Sequence, residues 1–259
     1  MDNLRDMANI SSTDLFHFVG KETYLKSILA EQSFWPFYCI EYCWNQRHWA
    51  IPMLCFCDIP LSQIKIHIGK YGGDGYGIGM KKSWAIENRI TPVVYASWKS
   101  DIYKKLKEVS KTLIPSTAEK DLSMEERLLY RVKRITASGY EQYLNNNNNK
   151  SKNAKNKKVK FYNEREWRYV PEVTEDIHMV PWDPLKNPIK KDFTNRLSEN
   201  TKEKRLKFST NDVVFIIIPN EEGRRSMIDF LRSRSNLPES EIDILISKIL
   251  TKEEICNNF

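Results

Sequence analysis

Residues 55–80 read CFCDIPLSQIKIHIGKYGGDGYGIGM, and this stretch sets the kind of fold. The apolar run from Ile51 to Cys57 predicts a strand that stops at Asp58-Ile59-Pro60, because proline donates nothing to a ladder and favours a turn. Ser62 stands where it can cap a short helix, which the pair Gly72-Gly73 would end. In that helix His67 and Tyr71 lie four apart, on one face. From Gly75 to Met80 glycine recurs at alternate positions, which predicts a strand closely approached by another group.

On the N-terminal side, Leu15 to Val19 predicts a strand and Glu22 to Glu31 an amphipathic helix with Tyr24, Leu25, Ile28 and Leu29 on one face. On the C-terminal side, Thr91 to Ser97 predicts a strand and Ser100 to Thr112 a helix with Ile102, Leu106 and Val109 in register. Ser123 and Glu126 have capping-box spacing ahead of a helix carrying Leu128, Leu129, Val132 and Ile135. Later come strands at Glu166 to Pro171 and Val213 to Ile218, and helices near Glu222 to Arg232 and Ser240 to Lys252. Strands and helices do not alternate as βαβ units require. The expected class is therefore α+β, with a mixed or antiparallel sheet and flanking helices.

The chain has 259 residues, 41% of them hydrophobic and 29% charged, enough to bury a full core. We expect a single domain over residues 1–259, interrupted by a flexible Asn/Lys-rich insertion at about 145–160. That insertion, NNNNNKSKNAKNKK from Asn145 to Lys158, lacks aromatic and branched aliphatic residues and cannot offset the entropy of ordering. Lys150, Lys152, Lys155, Lys157, Lys158 and Lys160 supply most of the net charge of +7, so the excess belongs to one loop and not to a basic face. A solvated linker and a loop that contacts nucleic acid non-specifically are both consistent with it. No apolar run is long enough to span a bilayer and no leader pattern opens the sequence, so a cytoplasmic protein without membrane contact is expected.

Polar residues suited to chemistry gather in three places: Phe16-His17-Phe18, the block from Cys55 to Tyr76 with Asp58, His67 and Tyr71, and Glu164-Arg165-Glu166-Trp167-Arg168. Read as a strand, the third sets Glu164, Glu166 and Arg168 on one face and Arg165, Trp167 and Tyr169 on the other. Facing solvent, the charged face would be a weak ion pair; lining a cleft, its carboxylate would stay ionised beside arginine and stabilise a developing cation. His67 suits a hydrogen-bonded structural role as well as a catalytic one. Four of the five cysteines lie between Cys39 and Cys57, but C-x3-C followed by C-x-C is not the usual zinc-knuckle spacing, so buried free thiols and no metal are expected. The glycines lack the Gly-Lys-Ser/Thr ending of a phosphate loop. The aromatic stripe Phe34, Trp35, Phe37, Tyr38, Tyr42, Trp44 and Trp49 reads as core.

Residues 16–44, 51–95 and 161–171 resemble the AbiGi family of abortive-infection proteins. Its members share an FHFT-like start, a PMVCFCDIPLS-like strand and turn, an H-x-x-x-YG-x-YGIGL-like segment and an E-x-EWR-like strand. Val19 stands where threonine is common, and Gly73-Asp74 reads as a small insertion. The resemblance implies a role in phage defence and a partner: a cognate toxin or antitoxin, or a phage protein. The order of the motifs is also similar to that of ADP-ribosyltransferase-like folds. That similarity implies NAD as cofactor, with His17 holding the ribose, Glu166 stabilising the ribosyl cation, His67 as a further catalytic residue, Tyr71 or Tyr76 stacking on nicotinamide, and Asp58, Glu164 and Arg168 completing the cofactor site. Loss of nicotinamide leaves positive charge on the ribosyl carbon, which a fixed carboxylate stabilises. The competing expectation is a non-catalytic antitoxin or sensor that binds a protein or nucleic-acid partner.

Overall fold

The computed structural model describes residues 12–42, 48–71, 74–112, 122–134, 136–138, 158–234 and 237–258. In chain order they form β1 (Asp14–Val19), α1 (Glu22–Glu31), β2 (Ser33–Phe34), β3 (Phe37–Tyr42), β4 (His48–Cys57), α2 (Ile64–Tyr71), β5 (Tyr76–Lys81), α3 (Lys82–Glu87), β6 (Thr91–Pro92) and β7 (Val94–Ala96). Next come α4 (Asp101–Thr112), α5 (Met124–Leu128), β8 (Val132–Arg134), β9 (Thr136–Ser138), β10 (Lys158–Lys160), β11 (Glu166–Tyr169), β12 (Val180–Trp182) and α6 (Lys190–Ser198). The last are β13 (Leu206–Lys207), β14 (Val213–Ile218), α7 (Glu221–Arg234), α8 (Glu239–Ser247), β15 (Ile249–Thr251) and α9 (Lys252–Asn258). The content is mixed α and β, as expected. Two compact units share the chain: Met1–Trp35, Cys55–Thr91 and Arg205–Phe259 make the first, Pro36–Leu54 and Pro92–Lys204 the second. No helix among the described residues is long and apolar enough to cross a membrane.

The first unit carries a mixed sheet. β14 runs parallel to β15 and antiparallel to β5, β5 pairs antiparallel with β1, and β1 meets β4 at Phe16 opposite Cys57. A parallel pair needs a crossover, and α7 with α8 provides it. Ile59, Ile64 and Ile68 on and before α2 and Ile255 of α9 pack with Phe16 and Ile217 of the sheet. The alternating glycines of β5 have a geometric cause. Antiparallel register sets Phe18 opposite Gly77 and Phe16 opposite Gly79, and each ring lies close to the glycine it faces. A Cβ at Gly79 would stand 2.9 Å from Phe16 Cε1 and 3.2 Å from the Phe215 side chain; one at Gly77 would stand 2.9 Å from Phe18 Cδ1. Phe16 stacks on Phe18 and on Phe215, at centroid separations of 6.4 and 6.1 Å.

In the second unit β3 pairs antiparallel with β4 from Phe37 opposite Met53 to Tyr42 opposite His48, and β12 pairs with the start of β4. Tyr38, Ile40, Ala50 and Phe193 form the core there, with Val180, Trp182 and Leu197 against them. Pro52 lies opposite Tyr38, whose N–H goes to Ser198 Oγ at 2.9 Å, so the missing proline donor costs no bond to this neighbour. β7 runs parallel to β8, and β9 antiparallel to β10.

Several expectations need correction. Ser62 lies inside a 3-10 turn, Leu61–Gln63, that begins after Pro60, so it is not the cap. The capping box of Ser123 and Glu126 forms, but its helix ends at Leu128 and Val132 belongs to a strand, where branched side chains are at home. The expected C-terminal helix is cut by β15, because Ile249 to Thr251 gain ladder bonds to β14. β2 and β3 were hidden in the aromatic stripe, of which Phe34, Tyr38 and Trp49 are buried as expected. Tyr24 is exposed, not on the buried face with Leu25 and Leu29. The Asn/Lys-rich run lies outside the described residues, apart from its end, which forms β10.

The glycine contacts give a graded expectation. Gly79→Ala should destabilise the protein by about 1–3 kcal/mol, since the Phe16 ring is fully buried and cannot swing away. Gly77→Ala should also destabilise: the half-buried Phe18 ring can yield, but the His17 carbonyl oxygen, 3.2 Å from the added Cβ, belongs to the backbone. Gly20→Ala, which meets nothing within 4 Å, serves as the neutral control. Urea unfolding of the three variants measures the order.

Candidate functional site

The residues predicted for one site divide between the units: His17, Asp58, His67, Tyr71 and Tyr76 in the first, Glu164, Glu166 and Arg168 in the second. In the first unit His17 sits at mid-strand in β1, opposite Ile78, with its Nδ1 2.8 Å from the Cys55 carbonyl. That carbonyl accepts, so Nδ1 carries the proton. The ring lies edge-on to Phe34 at 5.4 Å and tilted to Phe56 at 5.5 Å. Burial pushes the imidazole pKa down, against the opposing effect of the Cys55 bond, and His17 is neutral at pH 7. Tyr76, opposite Val19, shares the face of His17 by period two. Burial, then Glu22, Asp74 and Glu222, raise its phenol pKa.

Asp58 is 6% exposed and already engaged: its Oδ1 accepts from Ser12 N–H at 3.1 Å and from Lys82 Nζ at 3.0 Å, while Lys82 also donates to the Ser12 carbonyl at 2.5 Å. This tie fixes the entry to β1. His67 is half-buried on α2, and the Tyr71 side chain lies outside the described residues.

The second unit holds the denser constellation. Arg168 of β11 has no exposed surface, and each arm of its guanidinium is used. Nε donates to Glu166 Oε1 at 2.5 Å, Nη2 to Glu41 Oε1 at 2.6 Å and to Glu166 Oε2 at 3.3 Å, and Nη1 to the Tyr130 carbonyl at 3.1 Å. Lys133 of β8 joins from another strand, its Nζ 2.8 Å from Glu164, 2.9 Å from Glu166 and 3.4 Å from Glu41, above the Phe161 ring at 4.9 Å. Glu164 closes a 3-10 turn, Phe161–Glu164, and Arg165 then takes a left-handed φ of 44°, which lets the glutamates on either side of it reach one ammonium. The Glu166 backbone N–H donates to Tyr95 Oη at 2.9 Å.

Three carboxylates and two cations thus meet in the interior of this unit. Burial alone would raise the Glu166 pKa, but the charges of Arg168 and Lys133 override it and hold the carboxyl well below the usual range. Burial alone would lower the Lys133 pKa, but Glu166, Glu41 and Glu164 keep the amine charged far into the alkaline range. Glu166 and Lys133 therefore both stay charged at neutral pH. Both Glu166 oxygens accept from cations, Oε1 from Arg168 and Oε2 from Lys133 and Arg168, and the residue is only 5% exposed. Among the described residues no three His, Cys, Asp or Glu side chains are grouped to hold a metal ion.

The sequence singled out Glu164, Glu166 and Arg168 but missed Glu41 and Lys133. Glu41 shares a face with Cys39, alternating with Ile40, in a stretch read only as aromatic core, and Lys133 fell in a segment expected to be helical. Among the described residues the charged side of β11 turns inward, with Glu166 5% exposed and Arg168 fully buried.

Residues 32–219 match the model of a family described as abortive phage resistance protein AbiGi, antitoxin. The chain is also 30% identical over 223 residues to a protein of Lactococcus lactis subsp. cremoris named Abortive phage resistance protein AbiGi, covering 81% of this chain and 89% of that protein. No solved structure matches it.

The cluster sets the stability of the second unit. Lys133→Met, which leaves three carboxylates around one guanidinium, should cost about 3–5 kcal/mol in urea unfolding, and Glu166→Gln less. The pKa of Glu166 is depressed on folding, so its contribution is complete above the ordinary carboxylate range and is lost as pH falls below about 4. His17, kept neutral by burial, acts in the same direction from about pH 6.5 downward. Stability measured from pH 7 to pH 3 should therefore fall in the wild type, and fall less steeply below pH 4 in Glu166→Gln.

Proposed function

From the premise that this chain belongs to the AbiGi family of abortive phage resistance proteins, we propose that it acts as a non-catalytic, antitoxin-type component that binds and restrains a protein partner. The observation that carries this reading is the closure of the Glu166 carboxylate. A glutamate that stabilises a ribosyl cation must offer an oxygen to the reacting carbon. Glu166 is 5% exposed, with Oε1 on Arg168 and Oε2 on both Lys133 and Arg168. Opening it would leave two buried cations under-compensated, at a cost comparable to that of breaking a buried ion pair. The same bonds suit a scaffold that must hold one surface in one conformation. The family description, antitoxin, supports the same reading.

A protein that works by restraint needs no dinucleotide, and Asp58, whose Oδ1 is tied to both Lys82 and Ser12, has a structural role that fits this reading.

Two measurements test the reading together. The purified chain, incubated with NAD, should release no nicotinamide. The tagged chain, recovered from its host under phage challenge, should carry a protein whose expression alone arrests growth and whose arrest is relieved by co-expression of this chain. Nicotinamide release abolished by Glu166→Gln in a folded protein would replace restraint with ADP-ribosyl chemistry.

A further inference from the structure

We propose that the segment running from the end of β12 through the loop into the start of α6, PWDPLKNPIKK at residues 181–191, is the partner-docking element, inserting Leu185 and Ile189 into an apolar pocket on an acidic protein. The inference deepens the antitoxin reading and rests on it. Leu185 is 92% exposed and Ile189 61%, the first of these more open than any other large apolar side chain among the described residues. Pro181, Pro184 and Pro188 are exposed with them.

The loop is nonetheless fixed. Leu185 N–H donates to Asp183 Oδ1 at 2.9 Å, Asn187 N–H to the Asp183 carbonyl at 2.9 Å, and Trp182 Nε1 to the Asn187 carbonyl at 3.2 Å. β12 anchors its start on β4, and each proline fixes one φ. A loop of apolar tips held by hydrogen bonds has already lost the freedom that docking would otherwise remove, which is how preorganised binding elements gain affinity.

Charge selects the occupant. Lys186, Lys190 and Lys191 are exposed around the tips, while Asp183 is occupied within the turn and Asp192 is the acid that remains exposed nearby. An apolar tip with a cationic rim complements an apolar pocket rimmed by carboxylates. A second copy of the same loop would set lysine against lysine. Single-stranded nucleic acid calls for an open aromatic face, and the Trp182 ring is packed across His48 at 5.4 Å with its Nε1 already bonded.

The test uses the full-length chain in three forms: wild type, Leu185→Asp with Ile189→Asp, and Lys186→Glu with Lys191→Glu. All replace exposed side chains and should melt alike. The protein recovered under phage challenge is identified, purified and titrated against each. The apolar pair should weaken Kd on the order of thirty-fold. The charge pair should slow association about tenfold at low salt, with the difference vanishing at high salt. Equal affinity for all three forms would overturn the docking assignment while leaving restraint of a partner intact; failure of the wild type to bind any protein would remove both. Phosphatidylglycerol vesicles and concentration-dependent light scattering complete the set: binding to the vesicles, or dimerisation, that the apolar pair abolishes would reassign the loop to a membrane or to a second copy.

Discussion

A guanidinium with no exposed surface is the constraint from which the second unit is built. Arg168 cannot enter the interior alone, because an unpaired buried charge costs several kcal/mol. Its side chain therefore requires Glu166 from its own strand and Glu41 from β3, and these carboxylates, joined by Glu164, require Lys133 from β8. The members come from three separate places in the sequence, Glu41, Lys133 and the run Glu164–Arg168, so a correct set of charges exists in one arrangement of the strands and in few others. Hydrophobic packing around Tyr38 and Phe193 tolerates small slips; a ring of charges does not.

Much of the first unit was legible because its information is local. The strand at Asp14–Val19, the helix at Glu22–Glu31 and the strand at Val213–Ile218 follow from runs and periods a few residues long. The alternating glycines announced a close approach, but only the register reveals what approaches them. Phe16 and Phe18 on one strand and Gly77 and Gly79 on the next are a single feature written in two places: each ring occupies the space its facing residue leaves empty.

The candidate site was legible only in half. Period two correctly set Glu166 and Arg168 on one face of β11, but it says nothing about whether that face meets water or another strand. The answer depended on Glu41 and Lys133. Glu41 was passed over in a strand dominated by aromatic residues, and Lys133 follows a well-formed capping box whose helix stops after five residues. Burial of a charged face is a property of the neighbours, and those neighbours lie 31 to 127 residues away along the chain.

The discontinuous first unit has a consequence for biosynthesis. β1, β4 and β5 leave the ribosome early, yet β14, which covers the far edge of β5, follows roughly 130 residues later. At typical elongation rates of about 5–20 residues per second this interval lasts roughly 6 to 26 seconds. Throughout it the edge of a glycine-rich, phenylalanine-faced strand stands uncapped, while most of the second unit, Pro92–Lys204, is being synthesised. The nascent chain therefore passes through a long window in which that ribbon is a target for chaperones and for mispairing with neighbouring polypeptides.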